Sequence, residues 1–125
     1  MSTIHKIPDY TYDDCTVLRW VDGDTLEMTA RAHFDMGFGN IITGAHTGRF
    51  RLWGMDAFER RDPLGPAATE FVNSRMPVGA AVCAKTYKDP DNFGRYLALL
   101  WLPGQPDSCI NAELVEAKLA IERYW

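Results

Sequence analysis

No stretch of the sequence approaches the roughly 20 consecutive apolar residues of a membrane-spanning helix. The opening residues Met1-Ser2-Thr3-Ile4-His5-Lys6-Ile7-Pro8-Asp9-Tyr10 also lack the apolar core of a secretory signal. The expected compartment is therefore the cytoplasm, with no membrane partner. Cysteine is scarce. Cys15, Cys83 and Cys109 lie far apart, with no C-x-x-C pair and no histidines at zinc spacing, which excludes a disulfide framework or a zinc module and leaves them as reduced packing residues. Positive charge is short as well: 13 Lys and Arg against 17 Asp and Glu give a net charge of −4. That balance excludes a broad, non-specific hold on duplex nucleic acid, which needs several cationic contacts to phosphate. Any attraction to a polyanion has to be local. Repeats, low-complexity tracts and interdomain linkers are missing too.

What remains is a 125-residue chain, 46% hydrophobic and 24% charged, enough for one globular domain with a single core. Its bounds are 1–125, with an N-terminal extension over 1–13 and a glycine-rich arm over 35–48. The most unusual stretch is Phe50-Arg51-Leu52-Trp53-Gly54-Met55-Asp56-Ala57-Phe58-Glu59-Arg60-Arg61, which sets acids and guanidinium groups in and beside an apolar run. Phe50, Leu52, Trp53 and Met55 have the bulk of a buried strand, and Pro63 with Gly65 closes the loop that follows. Arg51 suits a phosphate, Asp56 a hard cation, and Glu59 a water held between them. Taken alone, the stretch reads equally well as a strand with a charged exit loop.

Elsewhere, residues 15–21 read as a strand and 25–34 alternate apolar and polar positions. Asp22-Gly23-Asp24 between them is a hairpin signal, glycine being tolerant of positive φ, and taken alone the motif favours turn-forming aspartates over functional ones by about three to one. Four glycines within 35–48 predict a long hairpin tip or flexible arm, with His33 and His46 near its ends as ordinary surface histidines. A helix is predicted over Pro66–Arg75, with Pro66 in its first turn and an apolar face of Ala67, Phe71 and Val72. Strands follow over 81–87 and 96–102, the second bringing Arg95 to its foot. Ser108 or Asn111 is expected to cap a last helix with Ile110, Leu114, Val115 and Leu119 on one face. The predicted class is mainly β with α (α+β): a five-stranded OB-fold barrel with an inserted helix and a C-terminal helix.

The motifs V-D-G-D-T at 21–25, F-R-L-W-G-M-D-A-F-E at 50–59, F-G-R-Y-L-A at 93–98 and N-A-E-L-V-E-A-K-L-A at 111–120 occur in the order and approximate spacing of one family. Over residues 16–124 the chain resembles the staphylococcal nuclease (thermonuclease) family. That resemblance implies an OB barrel with helices and calcium-dependent hydrolysis of phosphodiesters in DNA, RNA or both, leaving 3′-phosphates, with single-stranded or frayed ends preferred. It implies calcium ligands at Asp24, Asp56 and the Ala57 backbone carbonyl, with Asp22 in the outer sphere. Glu59 falls on the family's glutamate, Arg51 and Arg95 on its phosphate-clamping arginines, and Phe93 and Tyr124 on its nucleotide pocket.

Calcium takes oxygen ligands in loose geometry, and a planar guanidinium offsets charge on a phosphoryl group, so these residue types suit the implied chemistry. The chain departs from the family at Ala57-Phe58, where a Thr-Pro stands, and at Asn92-Phe93, where a Lys-Tyr stands. It also has Lys118 where the family has a glycine, and a longer arm. The family's best-known member continues to a third helix beyond the position of Trp125, so the end 121–125, the arm or a second copy is expected to cover the surface that helix would cover. The alternative function is a catalytically weak or inactive nuclease-like OB module that binds nucleic acid or protein. The presence of Asp24, Arg51, Asp56, Glu59 and Arg95 together favours catalysis.

Overall fold

The computed structural model describes residues 9–58, 61–88 and 95–122. Its elements run β1 (Asp9–Asp22), β2 (Thr25–Gly37), β3 (Asn40–Leu52), β4 (Met55–Ala57), α1 (Leu64–Arg75), β5 (Ala81–Lys88), β6 (Tyr96–Leu102), β7 (Gln105–Cys109), α2 (Ile110–Glu116) and β8 (Ala120–Glu122). The described residues are mainly β with two helices, an α+β class. Among the described residues no helix is long and apolar enough to cross a membrane.

The main sheet runs β3-β2-β1-β5-β6-β7, and a further parallel pairing of β3 with β6 closes five of these strands into a ring. The seam is short, joining Phe50 to Tyr96, Arg51 to Leu97 and Leu52 to Ala98. Inward positions follow strand alternation: Leu26, Met28 and Ala30 from β2, Phe50 and Leu52 from β3, and Val82 and Ala84 from β5 are all buried. Strand β1 keeps its aromatic residue in the core by a break in that rhythm. A register shift between Val17 and Arg19 flips the parity, so Trp20 turns inward and donates its indole N–H to the Met76 carbonyl at 2.9 Å. The core continues through Ala68, Val72 and Met76 of the α1 region and through Ile110 and Leu114 of α2. The two helices are tied by Arg75, whose Nη2 lies 2.6 Å from a Glu113 oxygen.

Several sequence expectations are corrected. Residues 9–13, expected in an extension, are the start of β1, and Asp9 to Tyr12 pair with β5. Of the two forms expected for 35–48, a hairpin tip or a flexible arm, the structure shows the hairpin, a two-stranded ribbon in which β2 and β3 stay in register from Thr25–Arg51 out to Asp35–Ile41. At its turn Gly37, Phe38 and Gly39 all use positive φ (81°, 58° and 75°). Helix α1 begins at Leu64 instead of Pro66, behind Pro63 as N-cap. Neither Ser108 nor Asn111 caps α2. Its N-cap is Cys109, without a side-chain cap bond. Asn111 is buried inside that helix, where its Oδ1 accepts from the Leu100 amide (3.2 Å) and its Nδ2 donates to the carbonyls of Trp53 (2.8 Å) and Ala98 (2.9 Å). Lys118 does adopt the left-handed conformation, at φ 59°.

Candidate functional site

Two turns build the site. The first is Gly23-Asp24, between β1 and β2. Gly23 is needed there for closeness and not for positive φ: a Cβ built on it would lie 2.6 Å from the Ala68 Cβ of α1 and 3.1 Å from the Ala57 Cβ of β4. The turn is locked by the Asp24 amide donating to Asp22 Oδ1 (3.1 Å) and by the Asp24 carbonyl accepting from the Leu52 amide (2.7 Å).

The second turn is Trp53-Gly54, where β3 ends. Arg51 and Asp56 are of opposite parity and would face away from each other along one regular strand. Gly54, at φ 82°, reverses the chain. Strand β4 then leaves β3 and pairs with β8 instead, Asp56 opposite Ile121 and Ala57 opposite Ala120. Asn111 holds this turn from beneath through the Trp53 carbonyl.

The three side chains converge as a result. Arg51 forms an ion pair with Asp56 Oδ1, and its Nη2 lies 3.7 Å from Asp24 Oδ2. Arg51 and Asp24 are mostly sequestered, with 17% and 14% of their side chains exposed, while Asp56 is at 37%. Asp24 is satisfied further by the Thr25 hydroxyl at Oδ1 (3.0 Å) and the Ala57 amide at Oδ2 (3.1 Å). Burial pushes the Asp24 carboxyl up to about 6. The neighbouring Asp22 carboxylate adds to the rise, and the Ala57 amide and Arg51 pull against it.

Arg95 precedes β6 and stands two residues before Leu97, the register partner of Arg51, so the two arginines flank one seam. An open hollow of about 440 Å³ lies beside β4, lined by Ala57, Phe58, Arg61 and Asp62. Glu59, Phe93 and Tyr124 lie outside the described residues.

Of the residues singled out in the sequence, the structure thus brings Asp24, Arg51, Asp56 and Ala57 together, with Asp22 at the back of the Asp24 turn. The contribution of Ala57 that is visible is its amide on Asp24. Three participants were not anticipated: the Thr25 hydroxyl, Ala68 under Gly23, and Asn111 under Trp53. An asparagine amid Ile110, Leu114 and Val115 was the available signal for the last, since a polar residue on an apolar helix face must be bonded.

Among the described residues, no group of three or more His, Cys, Asp and Glu side chains is arranged to hold a metal ion. Asp24, Asp56 and Asp22 offer only oxygens, the donor type that a hard cation takes, and burial and like charge disfavour the ionised Asp24.

Comparison with protein-family models and with curated proteins returns no match for this chain.

Proposed function

We propose that this chain is a calcium-dependent phosphodiesterase of the staphylococcal nuclease type, acting on DNA, RNA or both, with its five-stranded ring serving as an OB-type barrel. The observation that carries the reading is the meeting of Arg51, Asp24 and Asp56 at the Trp53-Gly54 turn, a geometry that a regular strand over 50–56 would forbid. The OB assignment is supported by the closure of β1, β2, β3, β6 and β5 through a parallel β3–β6 seam.

In this reading Asp24, Asp56 and the Ala57 carbonyl would hold the cation, with Asp22 nearby, and calcium there would supply polarisation of a phosphoryl oxygen and a lower cost of generating hydroxide. Arg51 then leaves its carboxylates for the phosphate, where its planar donors, with those of Arg95, offset charge developing on the equatorial oxygens. Glu59 orients the attacking water and accepts its proton, a contribution of roughly 10²- to 10⁴-fold. Phe93 and Tyr124 line the nucleotide pocket by stacking.

A second reading, a binding module that does not cleave, draws on the same ion pairs, since a guanidinium engaged by two carboxylates is withdrawn from phosphate. Digestion of plasmid DNA and of RNA in calcium, against calcium with excess EGTA, separates the two readings. The nuclease reading expects EGTA-sensitive cleavage with 3′-phosphate ends, lost in Asp56→Asn and cut sharply in Arg51→Lys. Nucleic-acid binding without cleavage by the wild-type chain would replace it with the module.

A further inference from the structure

Strand β2 alternates without a break from Thr25 to Met36. Thr25, Glu27, Thr29, Arg31, His33 and Asp35 form one face, and Leu26, Met28, Ala30, Ala32, Phe34 and Met36 form the other. Such a pattern specifies a strand with one covered face along its whole length. The cover stops halfway. Leu26, Met28 and Ala30 are buried, yet Phe34 and Met36, on the same parity, are 61% and 59% exposed.

The register extends this face to β3, where Phe34 pairs with Ile42, itself 51% exposed, and Phe38 at the turn is 98% exposed. The polar face, by contrast, is fastened down. His33 bonds Asp14 (2.7 Å) and Thr43 (2.9 Å), Thr29 bonds Thr47 (2.7 Å), and Arg31 reaches Asp14 (3.3 Å) and Thr16 (3.0 Å). Arg31 and His33 thus tie the polar face to β1, while the bonds to Thr43 and Thr47 lie within the ribbon itself.

Its composition points to the occupant. Residues 36–48 contain no Lys, Arg, Asp or Glu, although 24% of the chain is charged. Exposed ribbons and edge strands ordinarily carry such charges to prevent self-pairing, and here they are missing. Across a two-fold axis this surface meets itself with apolar against apolar and no like charges opposed. Phe34, Met36 and Ile42, with Phe38 at the turn, expose on the order of 550 Å² per copy, at the upper end of the largest apolar patch of a typical monomer and about two thirds of the roughly 800 Å² per partner of a standard interface.

We propose that the β2–β3 ribbon is a dimerisation arm, through which two copies of this chain bury their Phe34, Met36 and Ile42 faces against each other. The inference is independent of the nuclease reading.

Sedimentation equilibrium of the full chain from about 1 to about 200 µM tests it. The wild type is expected to dimerise within that range. Phe34→Glu and Ile42→Glu, both at exposed positions, should each weaken the dimer at least about tenfold by forcing a charge into the buried face. Val78→Glu, equally exposed but remote from the ribbon, should leave the dimer unchanged. Circular dichroism melting establishes that each variant is folded, and Met36→Lys supplies a third substitution on the same face should one of them not be. A wild type that stays monomeric throughout the range would overturn the proposal. So would a dimer indifferent to substitutions in the ribbon.

Discussion

Asp24 carries a carboxyl that folding moves from its ordinary 3.8 up to about 6. Between those values the native state holds a proton that the unfolded chain has released. This contribution to stability is fully present below about pH 3.8 and is lost as pH rises through about 6. In EGTA, Asp24→Asn should therefore gain stability relative to wild type as pH rises from about 4 to about 7, by no more than about 3 kcal/mol. Parallel pH profiles of the two thermal midpoints would contradict the assignment. A second residue-scale prediction concerns Gly54. Its φ of 82° disfavours a β-branched side chain, so Gly54→Val should cost at least about 1–2 kcal/mol and also re-aim Asp56. Activity of the variant, assayed well below its own melting temperature, should still fall much further than its folded fraction. Retained turnover would mean that the turn does not aim the site. At this scale the sequence was informative for a physical reason. Charged residues inside an apolar run are costly unless they meet partners, so Arg51 and Asp56 declared themselves. Thr25 and Ala68 did not, because a hydroxyl in a strand and an alanine in a helix look the same with or without a site beside them.

Whole strands were legible where alternation is long, as over 25–34, and where an apolar run is bounded by turn residues, as over 96–102. The three-residue strands β4 and β8 carry no period to read. For the ribbon the four glycines left a hairpin and a flexible arm equally open, and the structure shows the hairpin. Gly44 and Gly48 in fact sit in register opposite Ala32 and Met28, and their missing side chains cost the ladder no hydrogen bonds. Helix α2 is the element most open to test. Asn111 satisfies one buried amide and two carbonyls belonging to β6 and to the Trp53-Gly54 turn. Asn111→Ala should destabilise by about 2–4 kcal/mol by leaving several of these groups unmet. Denaturant unfolding measures it, and a loss below about 0.5 kcal/mol would show that α2 is held by Ile110 and Leu114 alone. The approach of α1 to the Asp24 turn is equally tight. Gly23→Ala drives a methyl against Ala68 and should cost about 1–3 kcal/mol while displacing the Asp24 carboxylate.

Across the whole molecule, the proposed ligands come from the β1–β2 turn and from β4, which meet only in the folded chain. Calcium with nucleotide should therefore raise the thermal midpoint by binding the native state alone, and Asp24→Asn should abolish the shift. A scan without a shift at millimolar concentrations of both would count against an intact site. The parallel seam between β3 and β6 has a bearing on the order of events during folding. Phe50 and Tyr96 are brought together only after β4, α1 and β5 have been traversed, whereas the β2–β3 ribbon needs nothing but its own turn. Distant pairings wait on loop closure, so the ribbon forms early and the seam late. Arg51 belongs to both, entering the ribbon opposite Thr25 and the seam opposite Leu97. A partly folded chain emerging during synthesis would thus carry Arg51 in place well before Arg95 and the closing strand arrive. In a refolding experiment the proposed nucleotide binding should appear with the last kinetic phase, once the ring has shut.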